Sequence, residues 1–125
     1  MKYDEVSTHL TKEIPEFQPD RFDPDLPYVT AGAFAHFLLK VHQQDNMDAL
    51  TKGLAFIERL YASDDPKVRE LATIGYLEAI QNVWAGRGAD PESILPLLGD
   101  ESKKWWTELN NFWSGRIKFV GQSIR

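Results

Sequence analysis

Cysteine is absent from this chain of 125 residues, which excludes disulfides, thiolate nucleophiles and cysteine-based zinc sites. Long apolar runs are missing as well. None approaches the roughly 18 residues that a membrane span requires. The opening stretch MKYDEVSTHLTKEI lacks the apolar core of a signal peptide, so a cytoplasmic protein is expected. Histidine is scarce: His9, His36 and His42 are all there is. His36 and His42 stand six apart, which does not stack them on one helical face, and no HExxH occurs. No metal site is expected from that set.

Catalytic patterns are equally thin. No serine sits in a nucleophile elbow. Gly86-Arg87-Gly88 is the one glycine-rich spot, and without a following Gly-Lys-Ser/Thr it reads as a helix C-cap. Asp64-Asp65 reads as a helix cap, while Glu70 and Glu78 fall eight residues apart on a helix side expected to be solvated. General acid–base work needs carboxylates displaced by burial, which a sequence cannot display. Neither an enzyme nor a cofactor is expected.

Aromatic residues and acids are what the chain does have. Four Trp, seven Phe and four Tyr exceed what a small core must contain. The net charge of −5 is uneven. Residues 1–27 carry seven acids against three bases, residues 28–115 twelve against eight, and the last ten residues three bases and no acid. An acidic body opposes phosphate-backbone binding and suits a basic protein partner. Lys103, Lys104, Arg116 and Lys118 beside tryptophans could form a nucleic-acid stacking platform, but four bases on an acidic chain argue weakly for one.

Apolar spacing of three and four predicts helices throughout, and no segment sustains two-residue alternation. The expected fold is all-α, a compact bundle of about six helices in one domain. The first helix spans Tyr3 to about Glu13, with Val6, Leu10 and Ile14 on one face. Residues 15–27 form a Pro-rich acidic connector whose Phe17, Phe22 and Leu26 should lie across the body. The helical body follows over residues 28–114. Its second helix covers Tyr28–Gln43, burying Phe34, Phe37, Leu38 and Val41, with Gly32, Ala33 and Ala35 small enough for close helix contact. Asp45-Asn46 caps a third, Met47–Ala62. Asp65-Pro66 opens a fourth, running to Trp84, apolar around most of its circumference and therefore central. Gly53 and Gly75 lie inside these two helices, where each costs about 1 kcal/mol relative to alanine, so close crossings are expected there. Asp90-Pro91 starts a short fifth helix, Glu92–Leu98. Asp100 caps a sixth, Glu101 to about Ser114, which Gly115 breaks, and residues 116–125 form a basic tail. On the sixth, Trp105, Leu109, Phe112 and Trp113 share a stripe, which leaves Trp106 as the indole expected to be partly exposed.

Two resemblances follow from these residues. Leu54 to Ile80, with its Asp65-Pro66 turn and Val68, Arg69 and Ala72 opening the second helix, resembles a single HEAT-type repeat, implying a central antiparallel hairpin. LPYVTAGAFAHFLLK, followed by a hairpin that ends Gly75-Tyr76-Leu77-Glu78-Ala79-Ile80-Gln81-Asn82, is similar to small bacterial helical proteins that resemble immunity proteins of polymorphic toxin and contact-dependent growth inhibition systems. That likeness implies tight one-to-one binding of a toxin and carries no catalytic residues. A nuclease toxin would offer a basic groove for an acidic inhibitor to oppose. The expected contact residues are Asp64, Asp65, Glu70 and Glu78, with Tyr76, Trp84 and Trp106 as anchors. The alternative is a HEAT-like adaptor that binds a resident cellular protein.

Overall fold

Helix starts in this chain are set by side chains that satisfy free backbone N–H groups. A computed structural model describes residues 1–114. The predicted break at Gly115 and the basic tail 116–125 lie outside the described residues. A 3₁₀ turn, Tyr3–Glu5, leads into α1 (Val6–Glu13), then come α2 (Pro27–Gln43) and α3 (Met47–Leu60). Next, α4 (Pro66–Glu70) continues through a π-helical segment, Leu71–Leu77, into α5 (Glu78–Gly86). A 3₁₀ stretch, Pro91–Leu97, precedes α6 (Asp100–Trp113). The all-α bundle that the periodicity predicts is the fold observed.

Asn46 caps α3 by accepting from the Ala49 N–H, and Asp65 caps α4 by accepting from Lys67, with Pro66 at the first helical position. At the end of α5, Gly88 takes φ +77°. The Gly88 N–H reaches the Ala85 carbonyl and the Ala89 N–H reaches that of Trp84, which is a Schellman closure. Expectation and structure part in the fourth helix. It is wound wider than an α-helix over seven residues, and the Glu78 N–H donates to the Thr73 carbonyl five residues back. The expected fifth helix forms as a tighter 3₁₀ stretch because Pro96 lies inside it.

The core lies where α2 runs along the π segment and α5, with α3 packed beside it. Val6, Leu10 and Ile14 are all buried, as their spacing predicts. A Cβ on Gly53 would stand 2.6 Å from Leu38 Cδ2 and 2.9 Å from the Phe34 ring, so α2 and α3 do cross closely there. At Gly75 a Cβ would meet Leu71 of its own segment at 2.7 Å and the Tyr28 ring of α2 at 3.4 Å, an ordinary contact distance. The tight approach there is within the segment rather than at a helix crossing, and Gly32 faces open space. Of the connector's apolar residues, Phe17 is buried edge-on against Phe34 and Phe37, whereas Phe22 and Leu26 remain 42% and 50% exposed.

Candidate functional site

A groove of about 490 Å³ opens on the described surface. Tyr61, Pro66, Arg69, Glu70, Thr73, Ile74, Glu101, Lys104 and Trp105 line it. The end of α3, the start of α4, the π segment and the first turns of α6 thus supply its walls. Wide winding of the π segment buries Leu71, Ala72, Thr73, Gly75, Tyr76 and Leu77 and leaves Ile74 turned outward, 37% exposed. Segments of this kind recur at functional sites.

The α6 wall is held by a residue from another helix. Glu58 of α3 accepts from the backbone N–H groups of Glu101 and Ser102 and from the Ser102 hydroxyl, at 3.2, 2.9 and 2.7 Å. It thereby caps α6 in place of the predicted Asp100, since Gly99 occupies the cap position and has no side chain. A negative charge there also meets the positive end of the helix dipole. The opposite wall is tied by the Tyr61 hydroxyl, 2.7 Å from Thr73 Oγ1. Burial pushes the Tyr61 phenol well above its usual pKa.

A smaller groove of about 300 Å³, lined by Tyr3, Tyr28, Lys67 and Glu70, continues from the first. Glu70 stands on the rim of both. The Tyr28 phenol is pushed up to about 12, first by burial and then by the Glu70 carboxylate and Tyr3. Both phenols are therefore neutral hydrogen-bonding groups at physiological pH. The main groove is lined by Arg69 and Lys104 against Glu70 and Glu101, a balanced set of charges beside apolar Ile74 and Trp105. Such an arrangement can seat and orient an apolar side chain of a partner.

The structure separates the seven residues predicted to bind a partner. Glu70 alone reaches the groove. Asp64 is exposed on the turn before α4. Asp65 is occupied, accepting from the N–H groups of Lys67 at 2.9 Å and Tyr3 at 3.3 Å. Glu78 is half-buried, lines neither groove, and has its pKa raised by burial. The three expected anchors are core. Tyr76 is 1% exposed, and Trp84 and Trp106 are fully buried. Trp84 can be so because its indole N–H donates to the Ala35 carbonyl at 3.1 Å, and Trp106 because its own reaches Glu92 Oε2 at 2.9 Å. Of the adjacent pair, Trp105 is the indole left partly exposed. The buried side of α6 runs through Ser102, Trp106 and Leu109, while Trp113 of the expected stripe is 56% exposed. Two adjacent tryptophans signalled that one would be accessible. Which one was decided by the Glu58 cap and by Glu92, neither of them visible from α6 alone.

Among the described residues, no group of three or more His, Asp or Glu could hold a metal ion, and no helix is long and apolar enough to cross a membrane. Residues 7–114 match the model of a family described as a domain of unknown function, DUF7674. The chain belongs to that family. The DUF7674 match takes in α2 to α6, all of α1 but Val6, and both grooves apart from Tyr3. No curated protein and no solved structure matches the chain.

Proposed function

We propose that this DUF7674 protein is an immunity protein, which binds a basic toxin domain and neutralises it by covering its surface, with no substrate turned over. The observation that carries the binding part is the make-up of the groove: the apolar side chains of Ile74 and Trp105 line it together with four charged ones, Arg69, Glu70, Glu101 and Lys104. Protein interfaces combine the same elements, apolar or aromatic side chains with polar ones. The toxin part rests on the likeness of the Gly75–Asn82 stretch and its preceding helix to immunity proteins, and on a net charge of −5 that opposes a phosphate-binding partner. Tyr61, Glu70, Ile74, Glu101 and Trp105 form the contact set.

Purification of the tagged protein from its host, with mass spectrometry of what accompanies it, tests this directly. The expected result is one stoichiometric partner that harms cells when expressed alone and binds the Trp105→Ala, Glu70→Lys variant at least about tenfold more weakly. A harmless resident complex would replace the toxin with an adaptor's partner. Unchanged affinity in the variant would remove the groove from the model.

A further inference from the structure

The groove's charges are balanced, so the acidic excess of this protein lies elsewhere. The connector from Glu16 to Leu26 holds Glu16, Asp20, Asp23 and Asp25 against Arg21, and all five are exposed. The same short stretch concentrates exposed apolar surface. Nine large hydrophobic residues are exposed among those described, and four of them, Phe22, Leu26, Tyr28 and Val29, fall within residues 22–29. Val29 is 61% exposed although it lies in the first turn of α2, where an apolar side chain gains nothing from water.

This shelf is held in shape. Asp23 Oδ1 accepts from the Asp25 N–H at 2.9 Å, and the Leu26 N–H returns to the Asp23 carbonyl at 3.0 Å. The N–H groups of Val29 and Thr30 both reach the Leu26 carbonyl, at 3.1 and 3.2 Å. The shelf also joins the groove. Tyr28 belongs to it and lines the smaller opening beside Glu70, and Glu70 stands on the main groove with Ile74 and Trp105. Glu70 thus links the two openings, Lys67 stands beside it at the smaller one, and Tyr28 links that opening to the chain segment that carries Leu26, Val29 and the connector's acids.

We infer that this shelf docks a partner segment carrying apolar and basic side chains together, with the apolar ones on Leu26, Tyr28 and Val29 and the basic ones facing Asp20, Asp23 and Asp25. Charge complementarity selects that occupant. An acidic segment would be repelled, and a purely polar one would leave the apolar shelf uncovered. The inference deepens the protein-binding reading and rests on it for the identity of the natural partner only.

The test uses the whole chain and a synthetic amphipathic peptide of leucine and lysine, followed by amide chemical shifts. Perturbations centred on residues 22–29 and 70–74 are expected. Binding should weaken at least about tenfold in the Leu26→Ser, Val29→Asp variant, and should fall with added salt. Circular dichroism should show that variant folded, since both side chains are half or more exposed. The same peptide with glutamate for lysine should not bind. Equal binding of the two peptides, perturbations confined to other surfaces, or an unaffected shelf variant would each overturn the inference. Once a toxic partner is in hand, the two readings part: a shelf variant that binds it normally while Trp105→Ala fails would leave the groove standing without the shelf.

Discussion

Glu58 offers the sharpest test of how this bundle builds its groove. Three donors converge on its carboxylate, two of them N–H groups at the start of α6 and the third the hydroxyl of Ser102, which is fully buried. Removing a helix cap costs about 1 kcal/mol, and hydrogen bonds to a charged group are worth about 1.5–3 kcal/mol. Allowing for the exposed Glu101 bond, Glu58→Ala should destabilise the fold by about 3 kcal/mol, or ~10 °C in Tm for a domain of this size. Glu58→Gln keeps an acceptor and should lose only about 1 kcal/mol. Gly99 supplies the second arm. Its backbone is extended, φ −72° and ψ 173°, so alanine is permitted there in isolation. Yet a Cβ would collide with the Glu58 side chain, whose Cγ lies 2.6 Å from that position. Gly99→Ala should therefore cost about 2 kcal/mol in the wild type and close to nothing when Glu58 is already alanine. A double-mutant cycle by urea denaturation should return a coupling of about 2 kcal/mol. Additivity to within about 0.5 kcal/mol would refute the clamp. Amide exchange across residues 100–105 should quicken in Glu58→Ala, because the same contact positions Glu101, Lys104 and Trp105 on the groove wall.

Three further outcomes follow from buried groups. The Tyr76 hydroxyl is buried without a hydrogen-bond partner, so Tyr76→Phe should stabilise by about 1 kcal/mol, and a loss of that size in a urea midpoint would show that the hydroxyl is satisfied. Gly53→Ala should destabilise by about 1–2 kcal/mol despite the helix propensity it gains, since Leu38 and Phe34 leave no room; a gain would mean that the α2–α3 crossing opens easily. Burial raises the pKa of Glu78, so the fold favours its protonated form. Its contribution is thus fully present below the ordinary glutamate value of 4.5 and is lost as pH rises through the raised one. Relative to Glu78→Gln, the wild type should lose stability as pH rises above the ordinary glutamate value of 4.5, and parallel curves would argue that Glu78 is solvated.

Local chemistry was legible wherever one residue and its near neighbours decide the outcome. Val6, Leu10 and Ile14 repeat at helical spacing and are buried. Asp65-Pro66, Asp90-Pro91 and Asn46 begin their helices, and Gly86-Arg87-Gly88 ends one, because capping is an interaction over two to five residues. Even Gly53 declared itself, since a glycine in a helix interior needs a compensating close approach. The partner-binding residues were chosen by the same local logic, and there it failed for Tyr76, Trp84 and Trp106. Large aromatics resemble anchors until a distant acceptor allows them into the core.

The composition and spacing of this chain determined by themselves that it is all-α, where α3 and α4 start and which face of α1 is apolar, since those follow from torsional preference, capping and the 3.6-residue repeat. Tertiary contacts decided the site. The cap of α6 comes from Glu58 on α3, forty-three residues before Glu101. The burial of Trp106 rests on Glu92, fourteen residues away. Tyr61 reaches Thr73 from the end of α3, and the π-wound turn beside it leaves Ile74 facing outward. None of these pairings lies within one helical turn, so no periodicity encodes them. They exist only once the helices have packed, and with them the groove.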